Sequence, residues 1–202
     1  MPLFSLHKIH LKPTDYMARG RTRACYQHPH CPNKVIKVIN VSRSSWQRLR
    51  WHWRTRLEIQ ALKKVAKYPD IAPYFPDFCG SVRTNLGRGF VFKKVHHAVD
   101  IYQSQRMISA HTFLTITAIL RRLIRLRIPF HMDLTKNVFV DENTNDLYVV
   151  DSLGSNTFLP LTALPLPSFL YDYLMAGKIR KNIARLWVMK KRQVYVGGGT
   201  AS

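Results

Sequence analysis

Two short runs rich in β-branched and aromatic residues, Val138–Val140 and Leu147–Val150, flank the stretch DENTND. No other pattern constrains this chain as much, because Asp, Asn and Thr in such a cluster form turns and the flanking runs favour strands. The pattern predicts a β-hairpin. Asn137 stands just before the first strand and Asp151 just after the second, so pairing brings an amide oxygen and a carboxylate side by side. With Asp133 nearby, these are hard oxygen donors suited to Mg²⁺. The bland alternatives are a turn-forming Asn137, an Asp151 that caps the next segment, and a structural loop aspartate at Asp133.

A second strand signal lies upstream. Ala24–Tyr26 and Lys34–Val41 read as two strands joined by a turn rich in Pro, His and Asn. In KVIKVINV, Val35, Lys37 and Ile39 point one way and Ile36, Val38 and Asn40 the other. A lysine among β-branched neighbours weakens a strand unless its charge has a partner or reaches solvent, which singles out Lys37. Ser44 or Ser45 caps a helix expected from Trp46 to about Lys67, with Trp46, Leu49, Trp53, Leu57, Ala61 and Val65 at helical spacing. Glu58 is the acid of that helix, set among arginines and lysines. It either reaches Lys37 or forms a surface bridge with Arg54.

The stretch YPDIAPYFPDFCG is expected to be a loop, and Ser81–Thr84 with Gly89–Val95 a hairpin around NLGRG. A helix over about Ser104–Arg127 buries Ile116, Leu120, Leu123 and Ile124 and stops at Pro129. A final helix is expected over about Leu166–Lys190. The order is a strand-rich part with one helix, then a mainly helical part with an embedded hairpin. That is α+β in two lobes. One domain spans 1–195, with lobes of about 10–96 and 97–192, and 196–202 form a flexible tail.

The chain has 202 residues, of which 46% are apolar, enough for a real core. Its 32 Lys and Arg against 11 Asp and Glu give a net charge of +21, which attracts nucleotide phosphates, nucleic acid, anionic lipid or an acidic acceptor. Three cysteines in a chain this long are no disulfide framework, and a reducing cytoplasm is expected. The opening MPLFSLHKIHLKPTD does not read as a signal peptide, and no apolar run approaches the ~20 residues of a membrane span. Cys25, His28, His30 and Cys31 resemble metal ligands in type, but with Pro29 among them they wrap one Zn²⁺ poorly. RLRWHWRTR interleaves Trp51 and Trp53 with arginine. It reads either as a nucleic-acid or membrane surface, or as a helix whose tryptophans pack while its arginines are solvated.

GRTRACYQHPHCPNKVIKVI, FPDFCG with GRGFVF, and DLTKNVFV followed by LYVVDSLGSNTFLPL together resemble the YrbL-like family. These are PhoP regulatory network proteins of Gram-negative bacteria, within the protein-kinase-like superfamily. The resemblance spans roughly residues 16 to 165. It implies a small two-lobed kinase-like fold that binds ATP and Mg²⁺ as a phosphotransferase. Lys37 would grip phosphates with Glu58 as its anchor, and Gly20 would lie in the turn covering them. Asp133 would be the catalytic base, and Asn137 and Asp151 the metal ligands. His96 and His97 would fall at the interlobe hinge. Nucleotide and an anionic acceptor would be the partners of a monomer. Asp133 and Asn137 are one residue closer than in the usual kinase loop, so either the loop is shortened or Met132 stands at the base position. Two alternatives to a phosphotransferase follow: a catalytically weak kinase-like regulator, and a basic nucleic-acid-binding protein.

Overall fold

The computed structural model describes residues 8–20, 22–40, 44–96, 98–100, 110–130, 137–141, 143–144, 146–151, 153–154, 177, 184 and 188. The first part is a five-stranded antiparallel sheet ordered β1-β2-β3-β5-β4. Its strands are β1 (Tyr16–Arg19), β2 (Arg23–Gln27), β3 (Lys34–Ile39), β4 (Phe78–Thr84) and β5 (Gly87–Lys93). Helix α1 (Ser45–Val65) crosses from β3 to β4. The alternation read in KVIKVINV is present. Val35 and Ile39 enter the main core with α1, while Ile36 and Val38 pack with Leu11 and Val91 on the other face. Both faces are therefore covered, the outer one partly by the segment before β1, where Ile9 bridges Thr84 in parallel.

The second part contains β6 (Ala98–Asp100), α2 (Ala110–Arg125), β7 (Val138–Asp141) and β8 (Leu147–Val149), in a small sheet ordered β6-β7-β8. The DENTND turn forms as its composition requires. Asp141 Oδ1 accepts hydrogen bonds from the backbone of Asn143 (2.8 Å) and Thr144 (3.3 Å). Ile116, Leu120, Leu123 and Ile124 are buried as expected, with Ile119 beside them. One apolar cluster joins Val35, Phe90 and Phe92 of the sheet to Leu120 and Leu123 of α2 and to Val138 and Val149 of the hairpin. At the rear, Arg122 Nε meets Asp70 Oδ2 at 2.7 Å, and Lys64 Nζ donates to the Leu126 carbonyl at 2.5 Å. The chain has the α+β order expected of it: an antiparallel sheet with one helix, then α2 and a hairpin.

Several boundaries differ from expectation. β1 and β6 are additional strands. All four residues of β1 are exposed, so its sequence carries no inside–outside alternation. Phe78, Cys79 and Gly80 belong to β4 rather than to a loop, with a bulge between Phe78 and Gly80. Ala72–Tyr74 form a short 3₁₀ turn within the Pro-rich stretch. The core-facing side of α1 is Trp51, Thr55, Glu58, Ala61, Leu62 and Val65. Trp46, Leu49 and Trp53 stay exposed, because the buried face runs along a different stripe of the helix. The start of the Ser104–Arg127 helix lies outside the described residues. So does most of the Leu166–Lys190 helix, of which Gly177, Ala184 and Val188 are described and helical.

Candidate functional site

Strand β3 carries Lys37 on the face that looks toward the hairpin, and the pairing Cys25↔Lys37↔Phe90 fixes its height in the sheet. Across from it, β7 pairs with β8 in the register Val138↔Val149. The next step of that ladder joins Val150 N to the Asn137 carbonyl at 2.8 Å, so Asn137 and Asp151 flank one end of the hairpin. Lys37 Nζ then meets Asp151 Oδ1 at 2.5 Å although 114 positions separate them. The ammonium also lies 5.1 Å from the centre of the Phe92 ring, a cation–π contact that helps hold a charge inside the sheet.

Glu58 meets a cation that the sequence reading did not pair with it. The ion-pair partner seen for it is Arg23 of β2, whose Nη1 lies 2.7 Å from Glu58 Oε2. The other guanidinium nitrogen, Nη2, is 2.9 Å from Asp151 Oδ1. Glu58, Arg23, Asp151 and Lys37 thus form a chain of alternating charge in which Asp151 receives both cations. Arg23 Nη1 is buried, and Glu58 is the charge that faces it. Arg23 stands three residues after Gly20, at the start of β2. Its position two residues before Cys25, which pairs with Lys37, was the available signal.

The charges shape one another. Burial works against ionisation of Asp151, but Lys37 and Arg23 outweigh it and hold the carboxyl well below the usual range. Burial likewise works against the Arg23 cation, and Glu58 and Asp151 more than restore it. Burial pushes the Cys25 thiol up, with Lys37 opposing, which favours the thiol over the thiolate at neutral pH. Asp151 takes a left-handed backbone (φ 56°), a conformation that Asp tolerates better than bulky residues do. Its side chain remains 44% exposed, toward a cleft of about 430 Å³.

That cleft is walled by Ala18, Gly20 and Arg23 of the β1–β2 hairpin, by Phe92–Val95, and by Val150 and Asp151. Gly20 closes the hairpin turn: its N–H donates to the Arg23 carbonyl at 2.8 Å, and its carbonyl accepts from Asn40 Nδ2 at 3.2 Å. Asp133 and Met132 lie outside the described residues, as does His97, while His96 follows β5 and is exposed. Cys25 sits in β2 and Cys31 in the β2–β3 turn. Among the described residues, no three His, Cys, Asp or Glu side chains converge to hold a metal. For Mg²⁺ the oxygen donors at hand are Asp151, which lines the cleft, and Asn137, which lies at the same end of the hairpin.

Among solved structures, a BubR1 kinase domain matches with a TM-score of 0.46 and 12% identity over 69% of this chain. The Lpg2603 kinase of Legionella pneumophila, solved with IP6, matches with a TM-score of 0.49 and 14% identity over 82% of it. This chain spans 46% and 59% of the lengths of those two kinases. No curated protein matches it. The sequence pattern of the family described as PhoP regulatory network protein YrbL matches residues 9–186, so the chain belongs to that family.

Proposed function

We propose that this protein is an ATP- and Mg²⁺-dependent phosphotransferase whose nucleotide lies in the cleft between the β1–β2 hairpin and the β7–β8 hairpin. The observation that supports it most is the meeting of Lys37 and Asp151 at 2.5 Å on the wall of a phosphate-sized hollow. Lys37 and Arg23 offer two cations to a triphosphate, and Gly20 lets the turn backbone approach it. Asp151 and Asn137 hold the metal, which when bound neutralises charge on the phosphate oxygens. Glu58 anchors Arg23 rather than Lys37. Asp133 accepts the proton of the acceptor hydroxyl. The +21 charge favours an anionic acceptor, such as a phosphorylated sugar or lipid or an acidic protein. The three free cysteines, Cys25, Cys31 and Cys79, suit the cytoplasm.

One observation favours a second reading. Asp151 Oδ1 is shared by Lys37 and Arg23, an arrangement that suits a nucleotide-binding regulator without phosphoryl transfer. Thermal unfolding with ATP, with and without Mg²⁺, separates the readings when combined with turnover of labelled ATP. ATP near 100 times its dissociation constant stabilises by about 2.7 kcal/mol, which is roughly 5–10 °C for a chain of this size. We expect Mg²⁺ to enlarge that shift, Asp151→Asn to remove the Mg²⁺ dependence, and Lys37→Ala to abolish most of the shift. No ATP stabilisation in the wild type defeats both nucleotide readings. Stabilisation without turnover, unchanged in Asp133→Ala, selects the regulator.

A further inference from the structure

Helix α1 has a second apolar face. Leu49 and Trp53 stand exposed beside His52, Arg56 and Lys63, and Ile59, which packs against the main core, lines the same groove at its base. Leu49 and Trp53 are 61% and 43% exposed, which is unusual for large apolar side chains set so close together. Opposite them stand Phe78 and Val82 of β4 and Arg88 and Phe90 of β5. The two walls enclose a groove of about 810 Å³. It is larger than the phosphate cleft and shares no lining residue with it. The bulge in β4 turns Cys79 outward at its edge.

The groove is cationic on both walls. Lys63 Nζ lies 5.9 Å from the Phe78 ring centre, and the Arg88 guanidinium 5.8 Å from that of Phe90. Among the described residues no carboxylate pairs with Arg56, Lys63 or Arg88. Burial, followed by Arg88, Arg56 and Arg48, holds the His52 imidazole below its ordinary value, so the local field is positive.

We propose that this groove docks an acidic amphipathic segment of a partner protein. Its large apolar side chains fill the space between Trp53 and Phe78, and its carboxylates meet Arg56, Lys63 and Arg88. Charge complementarity selects this occupant. The chain's own stretch 178–202 carries seven Lys and Arg and no acid, so it is repelled. A second copy brings another +21. A bilayer meets projecting surfaces rather than a recess. Nucleic acid asks for cations tracking along a strand rather than facing each other across an apolar hollow. Because α1 also carries Glu58, an occupant braces the helix that anchors Arg23, yet the docking itself rests on nothing in the phosphate cleft.

The test is selection of random phage-displayed peptides of about sixteen residues on the immobilised full chain. Affinity measurements with the selected peptides follow, with alkylation of Cys79 by iodoacetamide read by mass spectrometry. We expect enrichment of peptides combining Asp or Glu with Trp, Phe or Leu, and slower alkylation of Cys79 when they bind. The pairs Leu49→Ala with Trp53→Ala and Arg56→Glu with Arg88→Glu should each weaken binding about tenfold or more. The second pair alters rim residues only and guards against misfolding of the first. The proposal is overturned by no enrichment, by enriched peptides lacking acids, or by binding that survives both pairs. It is equally overturned if a short oligothymidylate or phosphatidylglycerol vesicles protect Cys79 and the peptides do not.

Discussion

At the residue scale, Asp151 decides how the site responds to acid. Its folded-state pKa lies below the unfolded value of about 3.9, because Lys37 and Arg23 overcome the effect of burial. At low pH the unfolded chain therefore binds the proton that the folded chain refuses. The stabilisation is complete above the ordinary carboxylate value and is lost as pH falls toward the depressed one. We expect the urea midpoint of the wild type to drop from about pH 5 to about pH 3 more steeply than that of Asp151→Asn. Parallel slopes would mean that the Lys37–Asp151–Arg23 contacts contribute nothing in solution. Lys37 and Asp151 were both legible in the sequence, since a lysine in a β-branched strand and an acid closing a hairpin each call for a partner. The partner of Glu58 was not. Sequence order says that a helix follows β3, but only packing says which strand cation faces the fourth turn of that helix. The structure gives that place to Arg23.

At the scale of elements, Gly154 sets how near the segment after β8 comes to α1. Its φ is 95°, and an added Cβ would lie 3.2 Å from the backbone N and 3.3 Å from the Cα of Glu58. Both neighbours are helix backbone and cannot rotate away. Gly154→Ala should cost about 1–3 kcal/mol of stability, through backbone strain together with that contact. Gly177 is helical and its Cβ would meet nothing, so Gly177→Ala should be neutral or slightly stabilising. Urea titration of the two variants checks the contrast, and equal costs would remove the argument. The hairpin itself was readable because the turn chemistry of Asp141 and the flanking strands agree. β1 was not readable, since YMAR is exposed throughout and owes its strand to pairing with β2. The exposure of Trp46, Leu49 and Trp53 was hidden for a related reason. Helical spacing shows that residues share a stripe, not which stripe the sheet covers.

At the scale of the whole molecule, 32 cations on 202 residues repel one another in the folded state. Raising NaCl from about 20 mM to about 300 mM shortens the screening length and should raise the melting temperature by a few degrees. A fall instead would show that the ion chain through Arg23 and Asp151 outweighs self-repulsion. The two-part α+β order was legible from the succession of strand and helix patterns. The extent to which the parts share one core was not, because that depends on contacts such as Val35 and Phe92 with Leu120 and Val138. The shared core and the rear staples at Arg122–Asp70 and Lys64–Leu126 leave little freedom for the halves to swing apart like covers on a spine. The front corner is built differently: the outermost ribbon β1 borders the cleft and can shift without tearing any buried side chain from the interior.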